Sequence, residues 1–340
     1  MPYLVFRSLS LQRNALATLI ISALLSACNS PGSSSPAPAD DCAADCRAMP
    51  PSENRTPPTR TEDTPPRNTD NSESSSRTRA IWVWGSKVVL DSDARNQLFA
   101  FAAEKSLNRF YLEASEALRY DQDALAAFFT ISQQRGIVVE LLFGQPDWAL
   151  PENHHQVASI IDRVADFAAR YPDLTVAAIH LDVEPYLLTE WETERPELIA
   201  SFIDLLESAR SRTHRIGLPL YADIPIWFDE QGIFRNGRAR TLHELVIDAT
   251  DGVGLMDYRD TAERIINDAS NELTYADRQG KPVVVGVETL CIEPTWITFC
   301  EEGSDYMDDV LHSVESELKS YSSYQGIAIH HFDSYRILQP

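Results

Sequence analysis

The sequence predicts an α/β protein whose folded part is a closed (β/α)8 barrel, or TIM barrel. Eight short apolar runs alternate with longer amphipathic stretches over about 260 residues, which is the size and rhythm of such a barrel. No glycine-rich phosphate turn follows the first run, and nearly every run ends in polar or aromatic residues. Both observations disfavour an open doubly wound sheet.

The eight runs predict strands, and most of the stretches between them predict helices. In chain order, the strands are expected at residues 80–84, 109–113, 137–143, 176–184, 216–223, 252–258, 282–288 and 326–332. Apolar residues at helical spacing predict helices at residues 91–105, 121–135, 156–171, 196–212, 241–249, 262–279 and 305–320. Few residues follow Phe332, so we expect the last helix to be missing or short.

The start of the chain resembles the export signal of a bacterial lipoprotein. Two arginines precede an apolar run at residues 15–25, which is too short to span a membrane. The run ends in a Leu-Ser-Ala-Cys sequence that resembles a lipobox. This resemblance implies that residues 1–27 are removed and that acyl chains such as palmitate anchor Cys28 to a membrane. By analogy with enteric sorting rules, Asn29 favours the outer membrane, with the protein facing the periplasm or the surface. An ordinary signal peptide is the alternative.

Residues 28–78 are predicted to be a tether, and residues 79–340 a single folded domain. The tether is rich in Ser, Pro, Asp, Thr and Asn and has almost no large apolar residue, so it cannot bury enough surface to fold. Cys42 and Cys46 lie within it and could pair with each other, stay free or bridge to another chain. The rest of the chain is long enough for one large domain with a sizeable core.

The net charge of −22 falls almost entirely on residues 79–340. Such a surface repels phosphates, so we expect no nucleic-acid partner and a neutral or cationic substrate. No cofactor is indicated, and we expect a monomer. Cys291 and Cys300 are the only cysteines of this domain, and in an exported protein we expect them to form a disulfide that closes a surface loop.

Carboxylates and aromatic residues dominate the predicted C-terminal ends of the strands, where barrels of this type gather their active sites. Aromatic faces stack on sugar rings, and carboxylates bind hydroxyl groups and transfer protons. This lining predicts a carbohydrate substrate. The candidate substrate-binding residues are Trp82, Trp84, Glu113, Trp148, Tyr186, Asp223, Trp227, Asp257, Tyr258, Arg259 and His331.

Asp182 and Glu184 are the central catalytic candidates. They follow the buried run of the fourth strand, and residues two apart on a strand point to the same face. Ionising two carboxyl groups beside an apolar strand is energetically unfavourable, and such pairs are found mainly at functional sites. We therefore expect a raised pKa at Glu184 and a role as proton donor.

These residues resemble the chitinase-like family 18 of glycoside hydrolases. The resemblance rests on Asp182-Val183-Glu184 and on Met256-Asp257-Tyr258. In that family the last Glu of a D-x-x-D-x-D-x-E strand protonates the leaving group, and the Asp two residues earlier holds a substrate N-acetyl group that acts as nucleophile. This chain departs from the pattern, because His180 and Ala177 stand where the family has acids.

A second resemblance is to the large clan of retaining barrel glycosidases. Its members carry an acid/base Glu after strand four, typically before Pro, and a nucleophilic Glu after strand seven. Glu184, which precedes Pro185, and Glu288 fall at these places, with Val183 where the clan has Asn. Both resemblances imply Glu184 as the proton donor. They leave open whether Glu288 or Asp182 is the nucleophile or the electrostatic support.

Other interpretations of these residues stay open. Asp182 and Glu184 could be a structural pair neutralised by Arg259, and Glu288 could cap a loop. His330 and His331 point to opposite faces of a strand, so at most one enters the barrel mouth. A metal site is disfavoured because no H-x-H or H-E-x-x-H spacing is present. The expected function is a membrane-tethered glycosidase. A non-catalytic carbohydrate-binding envelope lipoprotein and a metal-dependent hydrolase are the alternatives.

Overall fold

The computed structural model describes residues 77–235 and 237–340. The predicted signal peptide, the lipidation of Cys28, and the tether with Cys42 and Cys46 lie outside these residues. Within them, no helix has the length and apolar character that crossing a membrane requires.

Eight parallel strands close into a barrel, which confirms the predicted fold. Going around the barrel, the strand order is β1-β2-β3-β4-β5-β8-β9-β10, and β10 pairs with β1 to close it. The strands are β1 (Thr78–Val83), β2 (Arg109–Glu113), β3 (Val138–Phe143), β4 (Ile179–Leu181), β5 (Leu220–Pro225), β8 (Gly252–Met256), β9 (Val283–Glu288) and β10 (Tyr324–His330). A two-stranded antiparallel hairpin of β6 (Gly232–Arg235) and β7 (Arg238–Thr241) is inserted after β5.

Helices surround the barrel. They are α1 (Lys87–Leu90), α2 (Ser92–Glu104), α3 (Ser115–Tyr120), α4 (Gln122–Gln134), α5 (His154–Arg170), α6 (Glu190–Thr193), α7 (Arg195–Arg215), α8 (Leu242–Ala249), α9 (Ala262–Asp268), α10 (Ser270–Gln279), α11 (Ser304–Leu318) and α12 (Phe332–Tyr335). Helix α5 shows why they form, because its buried positions repeat every three or four residues and face the strands.

The last helix is short, as predicted. Helix α12 has four residues and packs against α2, where the ring of Phe101 lies 5.7 Å from Phe332 and 5.0 Å from Tyr335. These aromatic contacts cover the side of the barrel that a full eighth helix would cover.

Several predicted boundaries differ from the structure. Strand β4 covers only Ile179–Leu181 and not residues 176–184, and β10 ends at His330 and not at residue 332. Strand β5 begins at Leu220 and not at residue 216, because α7 continues to Arg215 and Ile216 caps it. The predicted helix at residues 262–279 is two helices that meet at Ala269. The hairpin was not predicted, since its short strands are partly exposed and rich in arginine.

The inward faces of the strands form a small core that is separate from the one beneath the helices. Its buried apolar members are Ala80, Trp82, Tyr111, Leu142 and Ala328. Gly286 makes room for Trp82, because a Cβ atom there would lie 2.7 Å from the indole Cη2. Above this layer, at the C-terminal ends of the strands, the inward positions become acidic.

The predicted disulfide between Cys291 and Cys300 is present. It closes the loop that leads from β9 to α11. The same loop is tied internally, because Thr298 Oγ1 donates to the carbonyl of Leu290 at 2.7 Å.

Candidate active site

The end of β4 brings Asp182 and Glu184 to the barrel mouth. The Asp182 N–H donates to the carbonyl of Phe143 at 2.9 Å, which continues the ladder one residue beyond the strand. Gly144 follows on the neighbouring strand, where any Cβ atom would overlap the Asp182 carbonyl. Pro185 then begins a single 3₁₀ turn, so the chain leaves the extended conformation directly after Glu184.

Glu184 is a buried carboxyl with a strongly perturbed ionisation. Its side chain accepts a hydrogen bond from the hydroxyl of Tyr186. Burial and then the charge of Asp182 raise the pKa of Glu184 well above its ordinary value, while the Tyr186 hydrogen bond acts in the opposite direction. A carboxyl group that keeps its proton at neutral pH is suited to general acid catalysis.

Asp182 is also perturbed. Burial and the charge of Asp223 raise the pKa of Asp182 to about 7, against the lowering effect of His330 and His180. Among the described residues, its Oδ1 atom is buried and has no hydrogen-bond partner. Asp182 and Glu184 therefore titrate as a pair, and one acid ionises well before the other.

A polar column runs along the barrel axis below this pair. His180 Nδ1 lies 2.8 Å from Glu140 Oε2, and His180 Nε2 lies 2.9 Å from Asp223 Oδ1. The other oxygens of the two carboxylates accept from Arg109 and from the indole N–H of Trp82, the latter at 2.9 Å. This column makes Asp223 part of the site's scaffold.

Glu288 is held by its own loop. Its Oε1 accepts from the backbone N–H groups of Thr289 at 2.8 Å and Leu290 at 2.7 Å. Its Oε2 lies 2.7 Å from His330 Nδ1. Both oxygens of Glu288 therefore accept hydrogen bonds, as in a carboxylate that caps the N–H groups of a loop.

His330, Trp84 and Tyr258 form one wall of the mouth. The indole N–H of Trp84 donates to His330 Nε2 at 2.9 Å. Burial lowers the pKa of His330, but the charge and hydrogen bond of Glu288, with the charges of Asp182 and Asp223, raise it overall. The Tyr258 ring lies 5.9 Å from the His330 ring. Burial and then the charges of Glu288 and Asp182 raise the pKa of Tyr258 well above its ordinary value, so its hydroxyl stays a hydrogen-bond donor.

An aromatic group forms another part of the mouth. The rings of Tyr186 and Trp227 lie 5.0 Å apart at a steep angle, and Trp191 and Phe228 pack behind them. A narrow cavity between this group and the Tyr258 wall is lined by Tyr186, Pro225, Ile226, Trp227, Met256, Tyr258 and Arg259.

Several predicted substrate-binding residues point elsewhere. The buried carboxylate of Asp257 faces Arg259, Asp268 and Glu272 outside the barrel, because it alternates with the inward-facing Met256 and Tyr258. Arg259 pairs with Asp268 at 2.8 Å, so it does not neutralise Asp182 or Glu184.

Three further candidates take structural contacts. Glu113 accepts from the backbone N–H of Ser115, and the buried Trp148 donates to Gln156. The His331 side chain accepts from the Asp333 N–H at the start of α12. The histidine that enters the mouth is therefore His330.

Sequence analysis missed Glu140 and Arg109 as members of the site, and it named His331 where the structure places His330. Glu140 and Arg109 lie on inward positions of β3 and β2, and the inward face of each strand could have revealed them. Within the described residues, no group of three or more His, Cys, Asp and Glu side chains could hold a metal ion.

No protein-family model and no curated protein sequence matches this chain. Solved structures of glycoside hydrolases do resemble it. A GH18 chitinase from Pseudoalteromonas aurantia aligns with 76% of this chain and 95% of its own, at 12% identity and a TM-score of 0.50. The exo-beta-1,4-mannosidase Op5Man5 from Opitutaceae bacterium strain TAV5 aligns with 75% of this chain and 52% of its own, at 12% identity and a TM-score of 0.51. The chain therefore shares the (β/α)8 barrel fold of these glycoside hydrolases.

Proposed function

We propose that this protein is a glycoside hydrolase in which Glu184 is the general acid. The observation that carries the proposal is the pair of buried carboxyl groups at the barrel mouth, Asp182 and Glu184, both with a raised pKa. Aromatic side chains lie beside the pair, and among them the partly exposed ring of Trp84 offers an apolar face for a sugar ring. The barrel resembles the folds of a chitinase and a mannosidase, and such a fold is compatible with this chemistry.

The proposed substrate is a 2-acetamido sugar whose acetamido group acts as the nucleophile. Glu288 is a poor nucleophile here, because both of its oxygens accept hydrogen bonds from its loop and from His330. Asp182, in contrast, has a buried oxygen with no partner among the described residues. An acetamido N–H would satisfy that oxygen, and the Tyr258 hydroxyl could donate to the acetamido carbonyl.

In this mechanism the Glu184 carboxyl protonates the glycosidic oxygen as the bond from that oxygen to C1 breaks. The acetamido oxygen attacks C1 and forms a cyclic oxazolinium ion, whose N–H is stabilised by the Asp182 carboxylate. Water then attacks C1 and gives its proton to Glu184, so the product keeps the anomeric configuration of the substrate.

The test compares hydrolysis of N-acetylglucosaminides, glucosides and mannosides by the wild type and by Glu184→Gln, Asp182→Asn and Glu288→Gln. We expect N-acetylglucosaminide hydrolysis to fall by about 10²–10⁴-fold in Glu184→Gln. Glu192→Gln is the matched control, because Glu192 is an exposed acid on α6. Full activity in Glu184→Gln would remove the proposed donor. Cleavage of mannosides but not N-acetylglucosaminides, with equal losses in Glu184→Gln and Glu288→Gln, would favour a double displacement through Glu288.

We also propose that acyl chains on Cys28 tether the enzyme to a bacterial membrane, with the outer membrane favoured by Asn29. The support is the lipobox-like sequence that ends at Cys28. Metabolic labelling with a fatty acid should mark the wild type and leave Cys28→Ser unlabelled. Equal labelling of both proteins would contradict the anchor.

A further inference from the structure

His180 occupies the inward position directly below Asp182 on β4. It is 1% exposed, and its two ring nitrogens face carboxylates from the strands on either side, Glu140 on β3 and Asp223 on β5. Carboxylate oxygens accept hydrogen bonds, so each ring nitrogen carries a hydrogen and the ring is an imidazolium. Burial alone would lower the pKa of His180, but the charges and hydrogen bonds of Asp223 and Glu140 raise it to about 10.

The surroundings hold this ring in one orientation. Arg109 donates a hydrogen bond to the second oxygen of Glu140, and the Trp82 indole donates one to the second oxygen of Asp223. A Cβ atom at position 254 would overlap Asp223 Oδ1 and lie 3.6 Å from His180 Nε2, so glycine is required beside the pair. The Tyr111 ring packs 4.5 Å from the imidazole on another side.

The charge of His180 lowers the pKa of Asp182, adding to the larger lowering effect of His330. In the motif that the strand resembles, an acid stands two residues before the central Asp, whereas this chain has a cation. The titratable groups that face Asp182 are Asp223, Glu184, His330, His180, Tyr258 and Tyr186. Of these, His180 is the one whose contacts require a permanent positive charge.

We propose that His180 is a positioning residue, a fixed cation that allows Asp182 to carry a negative charge beside Glu184 during the reaction. This inference rests on the proposed glycosidase function and deepens it. His180 touches neither the substrate nor the reacting atoms, and it acts through Asp182 and Asp223. Without it, Asp182 would lose one of the two histidines that favour its ionised form, and its ionisation would require a higher pH.

The first experiment measures kcat/KM against pH for the wild type, His180→Gln and Glu140→Gln. The acidic limb of this pH profile, where kcat/KM rises with pH, reports the ionisation of Asp182 in the free enzyme. We expect His180→Gln to move this limb to higher pH by about one unit, since an opposite charge nearby typically shifts a carboxyl pKa by about 1–3 units. Glu140→Gln also removes a charged contact of His180, but it leaves the His180 cation next to Asp182. The acidic limb of its pH profile should therefore stay close to that of the wild type.

An acidic limb that stays in place in His180→Gln, or that moves to lower pH, overturns the proposal even if kcat falls. An equal shift in Glu140→Gln would also overturn it, because the effect would then follow disruption of the column and not loss of the charge.

The second experiment needs no turnover. With ¹⁵N-labelled histidine, NMR should find a ring that keeps protons on both nitrogens at pH 8 in the wild type and whose signals are missing from His180→Gln. The absence of such a ring overturns the proposal. If the wild type cleaves no glycoside, the proposed function fails, and the NMR result still decides whether the buried cation exists.

Discussion

Replacing Asp182 with asparagine should make the folded protein more stable at neutral pH while removing most of its activity. Burial and Asp223 raise the pKa of this carboxyl from 3.8 to about 7. A raised carboxyl pKa adds stability that is fully present below about pH 4 and is lost as the pH rises to about 7, because the unfolded chain releases the proton first. Asparagine does not titrate, so it avoids this loss.

The size of the effect follows from the shift. About three pH units at about 1.4 kcal/mol each give roughly 4 kcal/mol above pH 7. Asp182 is partly exposed, and solvent screens part of its interaction. We therefore expect a gain of about 2–4 kcal/mol in the free energy of unfolding at pH 7.5, which for a domain of this size raises Tm by about 5–15 °C.

The assay is urea unfolding of the wild type and Asp182→Asn at pH 4.5, 5.5, 6.5 and 7.5. The difference between the two proteins should grow with pH and level off above pH 7. Asp166→Asn, on the exposed face of α5, is the matched control and should show a difference that does not change with pH. A stability difference for Asp182→Asn that is the same at every pH would refute the reasoning, since a packing effect alone does not titrate.

Two further predictions concern the support of the site. Gly254→Ala places a methyl group against Asp223 Oδ1 and should cost about 1–3 kcal/mol in urea unfolding, with a loss of kcat. Gly232→Ala is the control, because its Cβ would meet no atom within 4 Å, and an equal cost there would show that the backbone is responsible. Replacing both Cys291 and Cys300 with serine should lower the free energy of unfolding by about 2–3 kcal/mol, since the bridge closes a short loop. An unchanged Tm under reducing and oxidising conditions would contradict this second prediction.

The architecture could be predicted because barrel strands have a simple sequence signal. Each strand packs its outer face on helices, so the runs are apolar and β-branched, and amphipathic helices separate them. The hairpin at Gly232–Thr241 carries no such pattern, since it lies over the surface with residues such as Phe234 largely exposed. The ends of helices and strands were predicted less accurately, because the end of α7 before Ile216 depends on its tertiary contacts.

The site could be predicted only in part. Asp182 and Glu184 lie two residues apart, and that spacing alone places them on one face. At Glu288 the same reasoning failed to distinguish a free carboxylate from a capping one, because its partners are N–H groups of its own loop and a histidine 42 residues away. The choice between His330 and His331 likewise depended on how β10 ends.

The sequence by itself determined the barrel and the catalytic candidates at the end of its fourth strand, because periodicity and spacing are local properties of a chain. Only the tertiary structure decided which charges neighbour that pair. Glu140, His180 and Asp223 come from three successive strands of the barrel and meet at its axis, about 40 residues apart in the chain. Their effect on Asp182 depends on distance and burial, which exist only once the barrel closes.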